Sequence, residues 1–475
     1  MKKIKTRFSP SPTGKLHIGS VRTAIFSWIF AKKYNGNFFL RIEDTDLKRQ
    51  DLKTVKSILE DLKWLGLDYD YNPYFQSKNL KTYDFFIQKL LESKKAYKCY
   101  CSEERLKKIR EEQIRNKKKP KYDQFCRNIT EDLRKDSYVI RFKNPNDELL
   151  VTWNDQIKGK ISIKNDELDD LIIKRSNGYP TYNFCSVVDD FNMEITHVIR
   201  GDDHLNNTPR QINLYRALGF NIPIFAHVPM ILDKERRKLS KRNYPISIQE
   251  YKDKGYLPES LLNYLVKLGW SYKDQEIFSV KELFQYFDLK NVSKSPATFD
   301  ERKMLWLNKH YIKNMKNEKL ESCLKEKFIN LNINFKKGPN IIELIKVMKL
   351  KCSTIKEMVT ESICFYQDSE IKETIYTEKF LTIKTLHIIE NILQRIKKSN
   401  NEDWQNEKKI SNFFKETANF FSLQLKDVYI PVRVALIGKD KSLNLAVVLK
   451  LIEKKRVIYR LEKAIQFIKS KNKVK

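Results

Sequence analysis

The stretch from Ile4 to Ile29 constrains this chain most, because its apolar residues change period from strand to helix across a short polar loop. Ile4 to Phe8 is strand-like. Ser11-Pro12-Thr13-Gly14-Lys15-Leu16-His17-Ile18-Gly19 follows, and then Ser20-Val21-Arg22-Thr23-Ala24-Ile25, whose apolar positions continue at Trp28 and Ile29 with helical spacing. Strand, tight loop and helix are expected in that order. A helix N-terminus leaves backbone N–H groups unpaired and carries a partial positive charge, so phosphate oxygens are stabilised there, with the His17 imidazole donating alongside. The loop reads as a nucleotide cradle, although Pro-Thr-Gly before a helix is also an ordinary turn.

A second segment, Lys238-Leu239-Ser240-Lys241-Arg242, sets three cations in five residues after an apolar strand-like run, Phe225 to Leu232. A mobile lysine there reaches phosphates as a point charge, while the bland reading is a solvated surface run. The two segments in this order point to ATP-dependent activation chemistry.

The pattern around them alternates strand and helix. Phe38 to Ile42 is strand-like, and helical faces are set by Val21, Ala24, Ile25 and Trp28, then Val55, Ile58, Leu59 and Leu62, then Tyr83, Phe86, Ile87 and Leu90. This is the signature of a parallel sheet. From about Ala96 a charged helix precedes strand candidates Tyr138 to Phe142, Leu149 to Trp153 and Leu171 to Lys174, which suggests an inserted subdomain. Alternation resumes with Thr196 to Ile199, a helix beginning near Thr208, and Phe225 to Leu232. After Arg242 the pattern is helical: Pro258 opens an amphipathic segment with Leu261, Leu262, Leu265 and Leu268 on one face, and nearly everything from Tyr311 onward is helical and lysine-rich. The expected fold class is α/β: a Rossmann-like parallel-sheet domain with an inserted α+β subdomain, followed by an all-α C-terminal region.

At 475 residues the chain exceeds a single hydrophobic core. Lysine and arginine total 92 against 60 acids, a formal net charge of +32. Such an excess suits a polyanionic partner such as RNA, although the lysines are scattered and not gathered in one stripe. Pro10 and Pro12 interrupt the basic N-terminus and no apolar run follows, so neither a secretory signal nor a membrane span is expected, and the expected location is cytoplasmic. Seven cysteines, an odd number, fit reduced thiols better than a disulfide framework. Of these, Cys99, Cys101 and Cys126 are spaced so that they could close around zinc. No Ser-His-Asp or Cys-His arrangement suggests a nucleophilic side chain.

The motifs resemble those of the class I aminoacyl-tRNA synthetases, whose two ATP motifs take the forms His17-Ile18-Gly19-Ser20 and Lys238-Leu239-Ser240-Lys241-Arg242 here. Arg7-Phe8-Ser9-Pro10-Ser11-Pro12-Thr13-Gly14, Arg41-Ile42-Glu43-Asp44-Thr45-Asp46, Tyr179-Pro180-Thr181-Tyr182 and Val198-Ile199-Arg200-Gly201-Asp202-Asp203-His204 look like bacterial glutamyl-tRNA synthetase in particular, and the similarity extends to Pro431-Val432-Arg433-Val434-Ala435-Leu436-Ile437-Gly438.

The resemblance implies ATP, Mg2+, L-glutamate and tRNA(Glu) as ligands and a monomeric enzyme. ATP would meet Ser11, Thr13, Gly14, His17, Gly19, Ser240, Lys241 and Arg242, with His17, Lys241 and Lys238 in the catalytic role. An amino acid with two carboxylates and one ammonium requires two cations and one anion close together, and Arg supplies a bidentate fork. Arg7, Arg200 and Glu43 meet that demand. By resemblance, Arg7 with Tyr182 holds the side-chain carboxylate, Arg200 the α-carboxylate, and Glu43 with Ser9 the α-amine, while Ser186 makes a further contact and Asp203 and His204 orient ATP or the tRNA end. The implied layout is a catalytic domain over 1–95 and 179–243, an acceptor-end subdomain over 96–178, a stem-contact region over 244–310 and a helical anticodon-binding region over 311–475.

Relatives carry Cys-x-Cys and Cys-x-His pairs around zinc, but Asn128 stands where the histidine falls, so the fourth ligand is absent by this reading. Lys351 matches an anticodon-reading Arg of discriminating relatives and lacks its planar fork, which leaves charging of tRNA(Gln) open. The alternatives are a glutaminyl-tRNA synthetase, whose C-terminal half would be built of β-barrels, and a non-catalytic tRNA-binding protein.

Overall fold

A computed structural model describes residues 3–473 apart from 46–50, 130–136, 148, 238, 240–245, 369, 401–405 and 442. Lys238, Ser240, Lys241 and Arg242 of the second basic segment therefore lie outside the described residues; Leu239 lies within them. Two compact units are present, Met1–Asp253 with Pro258–Met304, and Lys254–Leu257 with Leu305–Lys475.

The first unit opens with β1 (Lys5–Phe8), α1 (Ile18–Lys33), β2 (Asn37–Ile42), α2 (Leu52–Leu65), β3 (Tyr74–Phe75) and α3 (Leu80–Glu92). Strands β1, β2 and β3 are parallel, in register Lys5↔Asn37 through Phe8↔Leu40 and then Arg41↔Tyr74. An insertion follows: β4 (Ala96–Cys99), α4 (Glu103–Arg115), β5 (Val139–Phe142), β6 (Leu150–Asp155), β7 (Gly159–Lys164) and β8 (Ile172–Lys174). There β4, β5 and β8 form one antiparallel sheet and β6 and β7 a hairpin. The chain then returns to α5 (Tyr182–Asn192), β9 (His197–Gly201), α6 (Thr208–Leu218) and β10 (Ile224–Val228), with β9 and β10 parallel.

Thr196 joins the two parallel pieces, because its N–H donates to Lys5 O at 3.0 Å and its hydroxyl accepts from Lys5 N–H at 2.9 Å. The strand order is therefore β3-β2-β1-β9-β10, and the direction of winding reverses between β1 and β9. In such sheets ligands bind beyond the carboxyl ends of the strands, at the reversal. Helix α1 packs on β1, β2 and β9, burying Val21, Ala24, Ile25, Trp28 and Ile29. The apolar run expected from Phe225 to Leu232 is divided: β10 ends at Val228, and β11 (Ile231–Leu232) pairs instead with a later strand, β12 (Ala297–Thr298). Pro229 stands at the break and lacks the N–H a continuing ladder would need. Between these strands lie α7 (Ile248–Asp253), α8 (Pro258–Lys267) and α9 (Val280–Tyr286).

After α10 (Glu301–Asn314) the second unit is helical: α11 (Asn317–Asn330), α12 (Ile341–Lys351), α13 (Ile355–Tyr366), α14 (Ile375–Phe380), α15 (Ile383–Lys398), α16 (Glu407–Phe420), α17 (Leu425–Ile437), α18 (Leu445–Leu451) and α19 (Lys454–Lys473). Leu344, Ile345, Ile389, Ile392, Val432 and Leu461 are among its buried core residues. No strand occurs among the described residues after Thr298, which sets this tail apart from the β-barrel architecture expected of the glutaminyl alternative. No helix of the described residues is long and apolar enough to cross a membrane.

Candidate active site

Local capping explains the order His-Ile-Gly. His17 is the N-cap of α1, extended at φ −85° and ψ 141°, and its Nδ1 accepts from the Gly19 N–H at 3.0 Å. An accepting Nδ1 puts the ring proton on Nε2. A Cβ at position 19 would sit 3.2 Å from His17 Nδ1, so glycine lets the imidazole close over its own helix start. The first turn of α1 contains no acid, and its partial positive charge is unopposed by a side chain of that turn.

This helix start faces a cavity of about 830 Å3 beyond the ends of β1, β2, β9 and β10. Near the start of α1 the wall is made by Ser11, Thr13, Gly14, His17 and Gly19. Arg7, Ser9, Glu43, Tyr182 and Arg200 line the same cavity, as do Asp203, His204 and Leu239. Leu239 apart, the structure thus brings together twelve of the site residues expected from the sequence, drawn from β1, the loop joining it to α1, the first turn of α1, the residue after β2, the start of α5, and β9 with its following turn.

Behind Arg7 and Glu43 lies a chain of alternating charges in which Arg41, Asp189 and Asp190 were not singled out from the sequence as site residues. Arg41, fully buried on β2, places Nη1 2.6 Å from Asp190 Oδ1 and Nη2 3.3 Å from Glu43 Oε1, with Nε 3.8 Å from Asp189 Oδ2. Asp190 also accepts from Arg7 Nε at 3.1 Å. Burial works to raise the Asp190 pKa, but Arg7 and Arg41 outweigh it and hold the carboxyl below its ordinary value. Asp189, accepting from Tyr74, Tyr83 and Gln76 at 3.0, 2.7 and 2.6 Å, is raised by burial in spite of Arg41 and those donors. Glu43 is pushed up to about 7, because burial costs its charged form more than Arg41 and Arg7 return.

Arg200 reaches the cavity from β9 with its guanidinium depressed by burial. Its Nε donates to His227 Nε2 at 3.1 Å, and its Nη2 donates to Thr208 Oγ1 at 2.9 Å. Tyr182 places its hydroxyl 3.1 Å from His204 Nδ1. Ser9 Oγ and Ser186 Oγ are buried without a hydrogen-bond partner. Ser9 belongs to the cavity wall, where an orphaned hydroxyl suits a polar ligand. Ser186 is buried one turn along α5 from Tyr182 and is not part of that wall.

Two other predicted positions lie elsewhere. Cys99, Cys101 and Cys126 converge in the insertion with their sulfurs within 4.8 Å of one another. The Tyr122 hydroxyl sits among them, 3.3 Å from Cys99 and 3.6 Å from Cys101, while Asn128 is exposed. Cys101 and Cys126 sulfurs are 3.6 Å apart, about the edge length of a tetrahedral thiolate zinc site, so the three thiols suit the ion, and the Tyr122 hydroxyl, which accepts the Cys126 N–H at 2.9 Å, is the oxygen beside them. Lys351, the last residue of α12, donates to Glu361 at 2.8 Å, and Lys439 donates to the other oxygen of the same carboxylate at 2.5 Å.

Comparison with known proteins agrees with this geometry. Residues 3–306 match the family described as tRNA synthetases class I (E and Q), catalytic domain, and residues 310–465 match an anticodon binding domain. The chain is 46% identical to a glutamate-tRNA ligase of Francisella tularensis over 464 residues, covering 98% of this chain and 99% of that protein. It is 45% identical to one from Wigglesworthia glossinidia brevipalpis over 471 residues, covering 99% of each. Among solved structures, a glutamate tRNA ligase of Elizabethkingia meningosepticum in complex with its amino acid superimposes with a TM-score of 0.84 at 32% identity, covering 98% of this chain and all of that one. By family, by near full-length relatives and by fold, the chain belongs to the class I tRNA synthetases, among the glutamate-tRNA ligases.

Proposed function

We infer that the chain ligates L-glutamate to the 3′ end of tRNA(Glu) in two steps. In the first, the glutamate α-carboxylate attacks the α-phosphate of ATP, forming glutamyl-adenylate and releasing pyrophosphate. In the second, a terminal ribose hydroxyl of the tRNA attacks the adenylate and AMP leaves. The single observation that carries this reading is the cavity that Arg7, Arg200 and Glu43 share with the start of α1. Exchange of labelled pyrophosphate into ATP, dependent on glutamate and tRNA together, tests it; no exchange with all substrates present favours a non-catalytic tRNA-binding protein.

In this reading Arg7, steadied by Asp190, takes the side-chain carboxylate with the Tyr182 hydroxyl beside it, and Arg200 takes the α-carboxylate. Glu43 and Ser9 take the α-amine. The partial positive end of α1, with Ser11, Thr13 and Gly14, receives the phosphates, and His17, Lys238 and Lys241 stabilise charge developing on pyrophosphate. Ser240 and Arg242 meet ATP beside Lys241, and Asp203 and His204 orient ATP or the tRNA end. Mg2+ bound with ATP neutralises phosphate charge. No residue acts as a nucleophile; orientation and electrostatics do the chemistry. The insertion, 96–178, would hold the acceptor end, 244–310 the stem, and 311–475 the anticodon. For Lys351, held by Glu361, contact with RNA means exchanging a carboxylate for a nucleotide, and a point charge without Arg geometry favours acceptance of tRNA(Gln) beside tRNA(Glu).

The pH dependence follows from Glu43. Its carboxyl, raised to about 7 by burial, must be ionised to hold an ammonium, so the competent form predominates above that pH and is lost below it. The kcat/KM for glutamate is expected to fall toward tenfold per unit as pH drops below about 7, with the KM for ATP unaffected. A flat glutamate profile between pH 6 and 8 would contradict this role.

For the insertion, zinc held by Cys99, Cys101, Cys126 and the Tyr122 hydroxyl would knit β4 to the segment after α4. Protein purified without chelator is expected to contain about one zinc per chain, and Cys101→Ser to contain almost none. A stoichiometry near zero in the unmutated protein removes the metal from the account.

A further inference from the structure

We propose that Asp155 and His227 are positioning residues for Arg200, and that through them the inserted β6–β7 hairpin controls the amino-acid end of the cavity. The proposal rests on the assignment of Arg200 to the glutamate α-carboxylate.

Asp155 ends β6, and both it and His227 on β10 are fully buried. One carboxylate oxygen, Oδ1, accepts three backbone N–H groups: Ile157 at 3.0 Å, Lys158 at 2.9 Å and His227 at 3.1 Å. The other, Oδ2, lies 2.5 Å from His227 Nδ1. Since a carboxylate only accepts, the ring proton is on Nδ1. His227 Nε2 is then bare and accepts from Arg200 Nε at 3.1 Å, with the Thr208 hydroxyl also 3.1 Å away. Thr208 closes the ring by accepting from Arg200 Nη2 at 2.9 Å. Burial and the Arg200 charge keep the imidazole from taking a second proton. The guanidinium is thus aimed by one tautomer, and that tautomer is dictated by a residue of the insertion. The same turn has a second tie, because Lys158 Nζ donates to Asp202 Oδ2 at 2.9 Å, next to the Asp203-His204 wall of the cavity. A shift of the hairpin therefore reaches Arg200 without any contact between hairpin and amino acid.

Asp155→Asn makes the test sharp. With Oδ1 still fixed by three N–H donors, the new amide nitrogen must face His227 Nδ1 and drive the proton to Nε2, where it opposes the N–H of Arg200. This variant is expected to raise the glutamate KM at least tenfold while the ATP KM stays within twofold. His227→Asn, whose amide reaches only the Nδ1 position, should match it; His227→Gln, whose amide oxygen replaces Nε2, should rescue most of the loss. In the His227→Gln background Asp155→Asn should change the glutamate KM less than twofold, since no tautomer remains to switch. A merely structural contact would give additive losses shared by both substrates. Nitrogen-15 spectra of the histidines supply a readout that needs no variant: His227 is expected protonated at Nδ1, and protonation at Nε2 overturns the proposal. Arg200→Gln separates the two claims. If it raises the glutamate KM and Asp155→Asn and His227→Asn do not, the relay is wrong; if it leaves that KM unchanged, the carboxylate assignment fails and this inference falls with it.

Discussion

Replacing Lys241 by alanine is expected to slow glutamate activation by about two to four orders of magnitude, because loss of a single preorganised neutral donor already costs about 10²–10³ and a full charge at a developing anion contributes more. The charge on the departing pyrophosphate grows only as the bond to the α-phosphate breaks, so a cation that meets it stabilises the transition state and not bound glutamate. The loss should therefore fall on kcat with a modest change in glutamate KM. Residual activity is expected because the dipole of α1 survives the substitution, and His17 stays locked to Gly19 at that helix start. Lys241→Arg, which keeps the charge on a differently shaped head, should recover part of the rate. Pyrophosphate exchange with ATP, glutamate and tRNA measures it; an unchanged rate in Lys241→Ala removes the residue from the mechanism.

What the sequence made legible and what it hid follow from the range of the interactions. Helix α1 and its cap are local: the period of Val21, Ala24, Ile25 and Trp28 and the glycine after His17 lie within a few residues of one another, and the cradle could be read directly. The β7 half of the hairpin escaped notice because Gly159–Lys164 alternates between partial and full exposure, and its lysines blur the apolar face of Ile161 and Ile163. Nothing local to Arg41 announces that it is fully buried, since the three carboxylates that converge on it come from the residue after β2 and from α5. A signal for that cluster was present in Val187-Val188-Asp189-Asp190, where two acids continue an apolar helix and burial demands partners for both. The Asp155–His227 pair joins residues 72 apart, a distance at which periodicity carries no information. Only the closing of the sheet around the insertion brings them together.

The same buried network makes Arg7 the most informative residue for amino-acid recognition. Its Nε is held by Asp190 at 3.1 Å, and Asp190 is independently held by Arg41 at 2.6 Å. Removing the Arg7 guanidinium therefore leaves Asp190 with a cationic partner, and Arg7→Gln should fold with a melting temperature within a few degrees of the parent. Glutamate loses the charge that receives its side-chain carboxylate inside a buried site. Truncating one partner of such a pair costs about 2–5 kcal/mol, and the glutamate KM is expected to rise about 10²–10³-fold. Arg7→Lys keeps the charge without the fork and should show a smaller rise. Free glutamine provides the control, because its side chain carries no charge to lose. If the defect is loss of a cation and not collapse of the pocket, glutamine should inhibit the Arg7→Gln variant about as well as the parent, while the advantage of glutamate over glutamine shrinks toward unity. A glutamate KM that stays where it was in Arg7→Gln would show that the side-chain carboxylate is received elsewhere in the cavity.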